Sequence, residues 1–297
     1  MDACLPRKMN TKHVNRLTTF LSLSLLVQCL SLLNISRFNS SLGTYLFMQW
    51  RFSEATSQLI DSGGAILVSL VALDIFIRSL TRKREQLVRP AIAFVVFVGF
   101  WFFVIAATHL LNGGHFASSF SLFSHAARFL LPLVILGLFL KREWAAPLIA
   151  WAIAITFFAH GIEAILVHPA FVDYIVLGFK SILGVSLSEN SAALLLRCVG
   201  LVDILCALAV LPLRARGGLF PRIASGVLLW MAFWGIFTAS LRLLGFGVQN
   251  WAEFGIRCSH FALPLALYYY RRDDLARSGQ LKHARPSGPF SFLKRKT

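Results

Sequence analysis

Eight runs of predominantly apolar residues, roughly 17–35, 58–80, 91–111, 118–140, 146–167, 190–213, 223–244 and 251–270, dominate this chain. A bilayer core about 30 Å thick takes about 20 apolar residues per helix, because no backbone amide is left unpaired in hydrocarbon. Each run has about that length, so the pattern predicts an all-α polytopic membrane protein with eight transmembrane helices. Composition agrees: 57% of the 297 residues are hydrophobic and 14% charged, where a soluble domain carries about 25% charge. Arg7, Lys8, Lys12 and Arg16 precede the first run as in a signal peptide. That run is long for such a segment and no small-x-small cleavage site follows, so it reads as a retained helix.

The net charge of +16 would suit a nucleic-acid partner, but its placement argues against one. Of 29 Lys and Arg, 22 fall in 1–16, 78–90, 141–145, 214–222 and 271–297. The alternate loops hold only Arg37, Arg51 and Lys180, and Arg128, Arg197, Arg242 and Arg257 lie within spans. Positive charge gathers on the cytoplasmic side of a cell inner (plasma) membrane, which predicts cytoplasmic N- and C-termini and no nucleic acid. The tail 271–297, with Pro286, Gly288 and Pro289, is expected to lie without regular structure along anionic lipid. Docking of a cytoplasmic partner is the alternative for that segment. Cys4, Cys29, Cys198, Cys206 and Cys258 form neither C-x-x-C nor a zinc spacing, which argues against a disulfide framework or metal knuckle.

The two halves resemble each other at an offset of about 130 residues. Phe100-Trp101 and His109-Leu110-Leu111 align with Phe233-Trp234 and Arg242-Leu243-Leu244. His125-x-x-Arg128 and Leu131-Pro132-Leu133 align with Arg257-x-x-His260 and Leu263-Pro264-Leu265. Asp74 falls opposite Asp203, and Gln28 opposite His160. Four spans per unit is an even number, so the repeat is parallel. The expected organisation is a cytoplasmic segment 1–16, a four-helix unit 17–140, a second unit 146–270 and the basic tail 271–297. Each unit has a long outer loop after its first helix, 36–57 and 168–189. The second, opening His168-Pro169 and rich in aromatics, predicts a short helix in the interface with Pro169 at its first position. It reads as an anchoring belt, or more sharply as a lid.

Ionisable residues inside spans are costly, about 2.5–3.5 kcal/mol each, and so are informative. Here they crowd into the outer half: His125, Arg128, His160, Glu163, Arg197, Glu253, Arg257 and His260. His125 and Arg128, His160 and Glu163, and Arg257 and His260 are i, i+3 pairs, and Glu253 and Arg257 an i, i+4 pair, so each pair shares a helix face. Such faces turn into the bundle and predict an outward-facing cationic chamber for a small anionic or quinone-like ligand, His160 and Glu163 being suited to carry protons. The competing account makes the same groups a self-neutralising network that sets helix register. Asp74 and Asp203 read as structural, and Arg242, near a span end, as snorkelling to the interface. Haem b would need two histidines facing each other from among His125, His160 and His260. The repeat puts Arg257 opposite His125 and Arg128 opposite His260, so no such pair recurs.

With His160-Gly161-x-Glu163-Ala164 followed by Leu196-Arg197-x-x-Gly200-Leu-x-Asp203, residues 146–270 resemble the DoxX-like family of small four-helix membrane proteins. The resemblance implies association with membrane-linked redox or quinone chemistry. The family's frequent Lys after His-Gly is replaced here by Glu163-Ala164, so no catalytic role carries over. The leading expectation is an accessory or binding protein. A proton-coupled anion transporter and a structural subunit bound to a membrane partner protein are the alternatives.

Overall fold

The structure, a computed structural model, describes residues 11–38, 40–81, 89–113, 119–211 and 220–284. The basic stretches 1–10, 82–88 and 212–219 and the end of the tail, 285–297, lie outside the described residues. All regular structure among the described residues is helical. In chain order the helices are α1 Thr11–Ser36, α2 Ser41–Met48, α3 Glu54–Thr81, α4 Arg89–Asn112, α5 Ser121–Ser124, α6 Ala126–Phe139 and α7 Ala145–Ile165. They continue with α8 Pro169–Leu183, α9 Glu189–Val210, α10 Phe220–Phe246, α11 Trp251–Gly255 and α12 Cys258–Ala284. α12 thus runs on through 271–284, correcting the expectation of no regular structure in that part of the tail.

Among the described residues, six helical stretches are long and apolar enough to cross a membrane: His13–Met48, Glu54–Thr81, Ala91–Asn112, Ala145–Ile165, Glu189–Val210 and Ile223–Leu244. Their outward faces carry large apolar side chains, among them Leu59, Leu70, Phe100, Leu194, Leu205 and Phe233. That make-up is a multi-pass membrane protein's. Where the sequence predicts continuous spans at 118–140 and 251–270, the chain instead forms α5 then α6, and α11 then α12. α6, at 14 residues, is shorter than each of these six stretches.

The two interruptions share a local feature: in each, a side chain bonds the carbonyl that its own backbone amide would bond in a continuous helix. Nδ1 of His125 bonds the Ser121 carbonyl, which Ser124 Oγ also reaches at 3.0 Å. Nη1 of Arg257 donates to the Glu253 carbonyl at 2.6 Å. A proline follows in each helix, Pro132 and Pro264, and frees the carbonyl four residues earlier, that of Arg128 and of His260 respectively. The Gln28 side chain of α1 donates to the Arg128 carbonyl at 3.2 Å. The backbone of His260 lies against Gly235 of α10, where an added Cβ would come within 2.8 Å of its carbonyl oxygen.

α1, α6, α7 and α12 form the centre. α6 is buried almost all round, and α1 buries Val14, Leu21, Leu25, Gln28 and Leu32 at helical spacing. α1 packs on α3, α6, α11 and α12; α7 packs on α9, α6, α5 and α12. α4 covers α6, and α10 covers α12. α7 and α9 meet at two glycines: a Cβ on Gly161 would stand 2.7 Å from the Gly200 oxygen, and one on Gly200 2.5 Å from the Gly161 oxygen. Backbones approach that closely only where no side chain intervenes.

The two helices in the long loops sit at one end of the bundle, where α1, α4, α7 and α10 finish. α2 packs on α3 and α4, and α8 on α9 and α10. α8 begins with Pro169 in its first turn, as the His168-Pro169 signal predicts, and ends at Gly184 in the left-handed region, φ 67°. Asp61 of α3, fully buried, receives the Ser40 amide at 2.8 Å and the Ser40 hydroxyl at 2.7 Å, and so ties down the start of α2.

Candidate functional site

At the α2/α8 end, side chains from α4, α6, α7, α10, α11 and α12 converge. Arg128, two residues into α6, and His260, two residues into α12, are each 7% exposed. The His260 ring meets that of His160 on α7, edge to face, with centroids 5.4 Å apart. His160 Nδ1 in turn lies 2.9 Å from Oε2 of buried Glu163. A second imidazole pair, His109 of α4 and His125, stands 5.6 Å apart in the same arrangement, and His109 Nδ1 is 3.2 Å from Ser41 Oγ of α2. His125 is within electrostatic range of His160, and His260 within range of His125. The four imidazoles therefore form one array between Glu163 and Ser41.

The cations interleave with this array. Arg128 is within electrostatic range of Arg257, Arg242, Glu253 and Glu163. Arg257 Nη1 donates to Glu253 Oε2 at 2.6 Å, the i, i+4 pair expected from the sequence. Arg242, on α10, is 7% exposed; it donates to the Thr238 carbonyl at 2.8 Å and its guanidinium lies 4.3 Å from the centroid of the Tyr174 ring on α8. The snorkelling expected of Arg242 is thus corrected: α8 covers it, and a cation stacked on an aromatic face does not need the interface. Among the described residues, Nε of Arg128, Nε of Arg242 and Nε2 of His260 are buried without a hydrogen-bond partner.

Seven of the eight candidate residues, His125, Arg128, His160, Glu163, Glu253, Arg257 and His260, come together in this cluster. Arg197 does not. It is exposed on the outward face of α9, next to exposed Cys198, because α9 turns Leu196, Gly200 and Asp203 inward and Arg197 falls between those positions. The two aspartates separate as well. Asp203 is buried against the Trp234 indole. Asp74 instead pairs with Arg78 at 2.7 Å in an open groove of about 400 Å³ between α3 and α4, away from the cluster.

Three participants lay outside the sequence expectation. His109, in the last turn of α4, and Tyr174, within α8, come from elements that only tertiary packing brings over the cluster. Gln28 had a signal in its alignment with His160: just as His160 meets His260 on α12, Gln28 meets Arg128 on α6. Among the described residues no group of three or more His, Cys, Asp or Glu is arranged to hold a metal ion.

No family model matches this chain, and no curated protein or solved structure matches it either.

Proposed function

We propose that this chain is an inner-membrane binding protein whose extracytoplasmic end holds a small anionic ligand in the cationic cluster around Arg128. The observation that carries the reading is the unpartnered Nε on Arg128 and on Arg242, both buried beside a third arginine. Counting the imidazoles as neutral, Arg128, Arg242 and Arg257 outnumber Glu163 and Glu253. A buried guanidinium Nε without an acceptor is unfavourable in hydrocarbon, and an anion would relieve it. α6 and α12 also begin at the cluster and direct the positive ends of their dipoles at it.

The proposal includes eight spans in two parallel four-helix units, with α5–α6 and α11–α12 as interrupted fourth and eighth spans. Element-by-element packing supports it: α1–α3 has its counterpart in α7–α9, α4–α6 in α10–α12, α2–α4 in α8–α10 and α5–α7 in α11–α1. Broken helices are tolerated at membrane depth where they line a protein interior, as the shared interruptions at His125 and Arg257 do. The positive-inside count puts both termini in the cytoplasm and the α2/α8 end outside. The DoxX-like resemblance, resting in part on the glycines where α7 meets α9, would link the ligand to redox or quinone chemistry.

The test is calorimetric titration of the purified protein in lipid nanodiscs with a panel of small anions. Binding that Arg128→Gln abolishes, in a protein that still elutes as a single species, is the expected result. No binding of any anion would remove the reading. A second reading, proton-coupled anion transport, is favoured by the imidazole array ending at Glu163. It requires anion-driven pH change inside proteoliposomes, with loss of that change in Glu163→Gln. If neither binding nor transport is found and a stoichiometric membrane partner co-purifies, the cluster belongs to a structural subunit.

A further inference from the structure

Resting on the anion-binding reading above, we infer that the ligand is a tetrahedral oxyanion, phosphate or a phosphomonoester, held between the guanidinium groups of Arg128 and Arg242.

The charge inventory points to its valence. Glu253 is engaged by Arg257 at 2.6 Å and Glu163 by His160 at 2.9 Å, so both acids of the cluster have local partners. Arg128 and Arg242 are the cations left over. With neutral imidazoles the cluster sums to one positive charge, and with His160 protonated against Glu163 to two. A neutral quinone head group would leave that charge uncompensated, whereas phosphate, as mono- or dianion, matches either state.

The origins of the unpartnered groups point to its shape. A planar carboxylate can be satisfied by one guanidinium, and Glu253 already takes Nη1 of Arg257 at 2.6 Å. The unpartnered groups come from separate elements: Nε of Arg128 from α6, Nε of Arg242 from α10, and Nε2 of His260, a donor in one tautomer, from α12. The first turns of α6 and α12 add backbone dipoles from two more directions. Four oxygens diverging from one centre answer such an arrangement; two oxygens in a plane do not. Tyr174 of α8, stacked on Arg242, and Phe171, 5.8 Å from His160, close the site on the α8 side.

The full-length protein in phosphatidylcholine nanodiscs is titrated with inorganic phosphate, sulfate and acetate. Phosphate and sulfate are expected to bind about tenfold or more tighter than acetate, and Arg128→Gln and Arg242→Gln each to weaken phosphate about tenfold or more. Arg197→Gln, on the exposed face of α9, is expected to change nothing. The selectivity series on the unaltered protein decides the class even if a variant fails to fold. Acetate binding as well as phosphate would overturn the oxyanion assignment while leaving an anion site standing; no binding by any of the three would overturn both. Discs doped with phosphatidic acid, a phosphomonoester lipid, separate the sources. A phosphate titration blunted in those discs assigns the site to a lipid head group, and an unchanged one to the free anion.

Discussion

Arg128 and Arg197 were equal candidates by residue type and depth, yet one is buried among acids and imidazoles and the other faces outward. The difference is a matter of helix phase, about 100° per residue, which a lone arginine in an apolar run does not reveal. Glycine illustrates the same dependence on neighbours. Gly63 has nothing within 4 Å of where a Cβ would stand, whereas a Cβ on Gly200 would meet the Gly161 oxygen at 2.5 Å. Gly200→Ala is therefore expected to push α7 and α9 apart and lower stability by about 1–3 kcal/mol. Gly63→Ala gains helix propensity and is expected to be neutral or stabilising by up to about 1 kcal/mol. Thermal unfolding of the two variants in one detergent checks the contrast, and equal midpoints would contradict it.

α2 and α8 occupy corresponding loops but are held differently. α2 buries Leu42, Gly43 and Leu46 and is fastened by the Asp61 carboxylate, while α8 buries Gly178 alone and rests on the cluster through Phe171 and Tyr174. Removing the carboxylate leaves the Ser40 amide and hydroxyl without their acceptor, at a cost of about 1–3 kcal/mol. Asp61→Ala is thus expected to loosen α2 locally, seen as faster proteolysis within 37–53 than in the parent protein, with cleavage in 184–188 unchanged. Equal acceleration at both sites would mean that the two loop helices are released together. The Pro169 signal placed α8 before any contact was known, because a proline start is local chemistry. The breaks at His125 and Arg257 had no such signal. At each, a side chain bonds the i−4 carbonyl, but Arg242 bonds the Thr238 carbonyl in the same way inside an unbroken α10, so that contact alone does not mark a break.

The centre of the whole molecule is shared between the halves: α6 packs on α7, and α12 on both α1 and α6. Neither 1–140 nor 141–297 encloses Arg128 and His260 by itself. Expressed separately, each half is expected to be unstable; expressed together in one cell, the two are expected to co-purify as a complex. Stable isolated halves that do not associate would contradict the shared centre. Apolar runs, their approximate limits and the crowding of costly polar residues toward one end were all legible in the sequence, because transfer into hydrocarbon is a property of composition over about 20 residues. Which of those polar residues meet was settled only in three dimensions. Helix rotation separated Arg197 from Arg128, packing of α8 turned Arg242 inward beneath Tyr174, and association of the two halves set His160 against His260. Each of these depends on contacts between segments far apart in the chain, and such contacts leave no trace in local hydropathy or spacing.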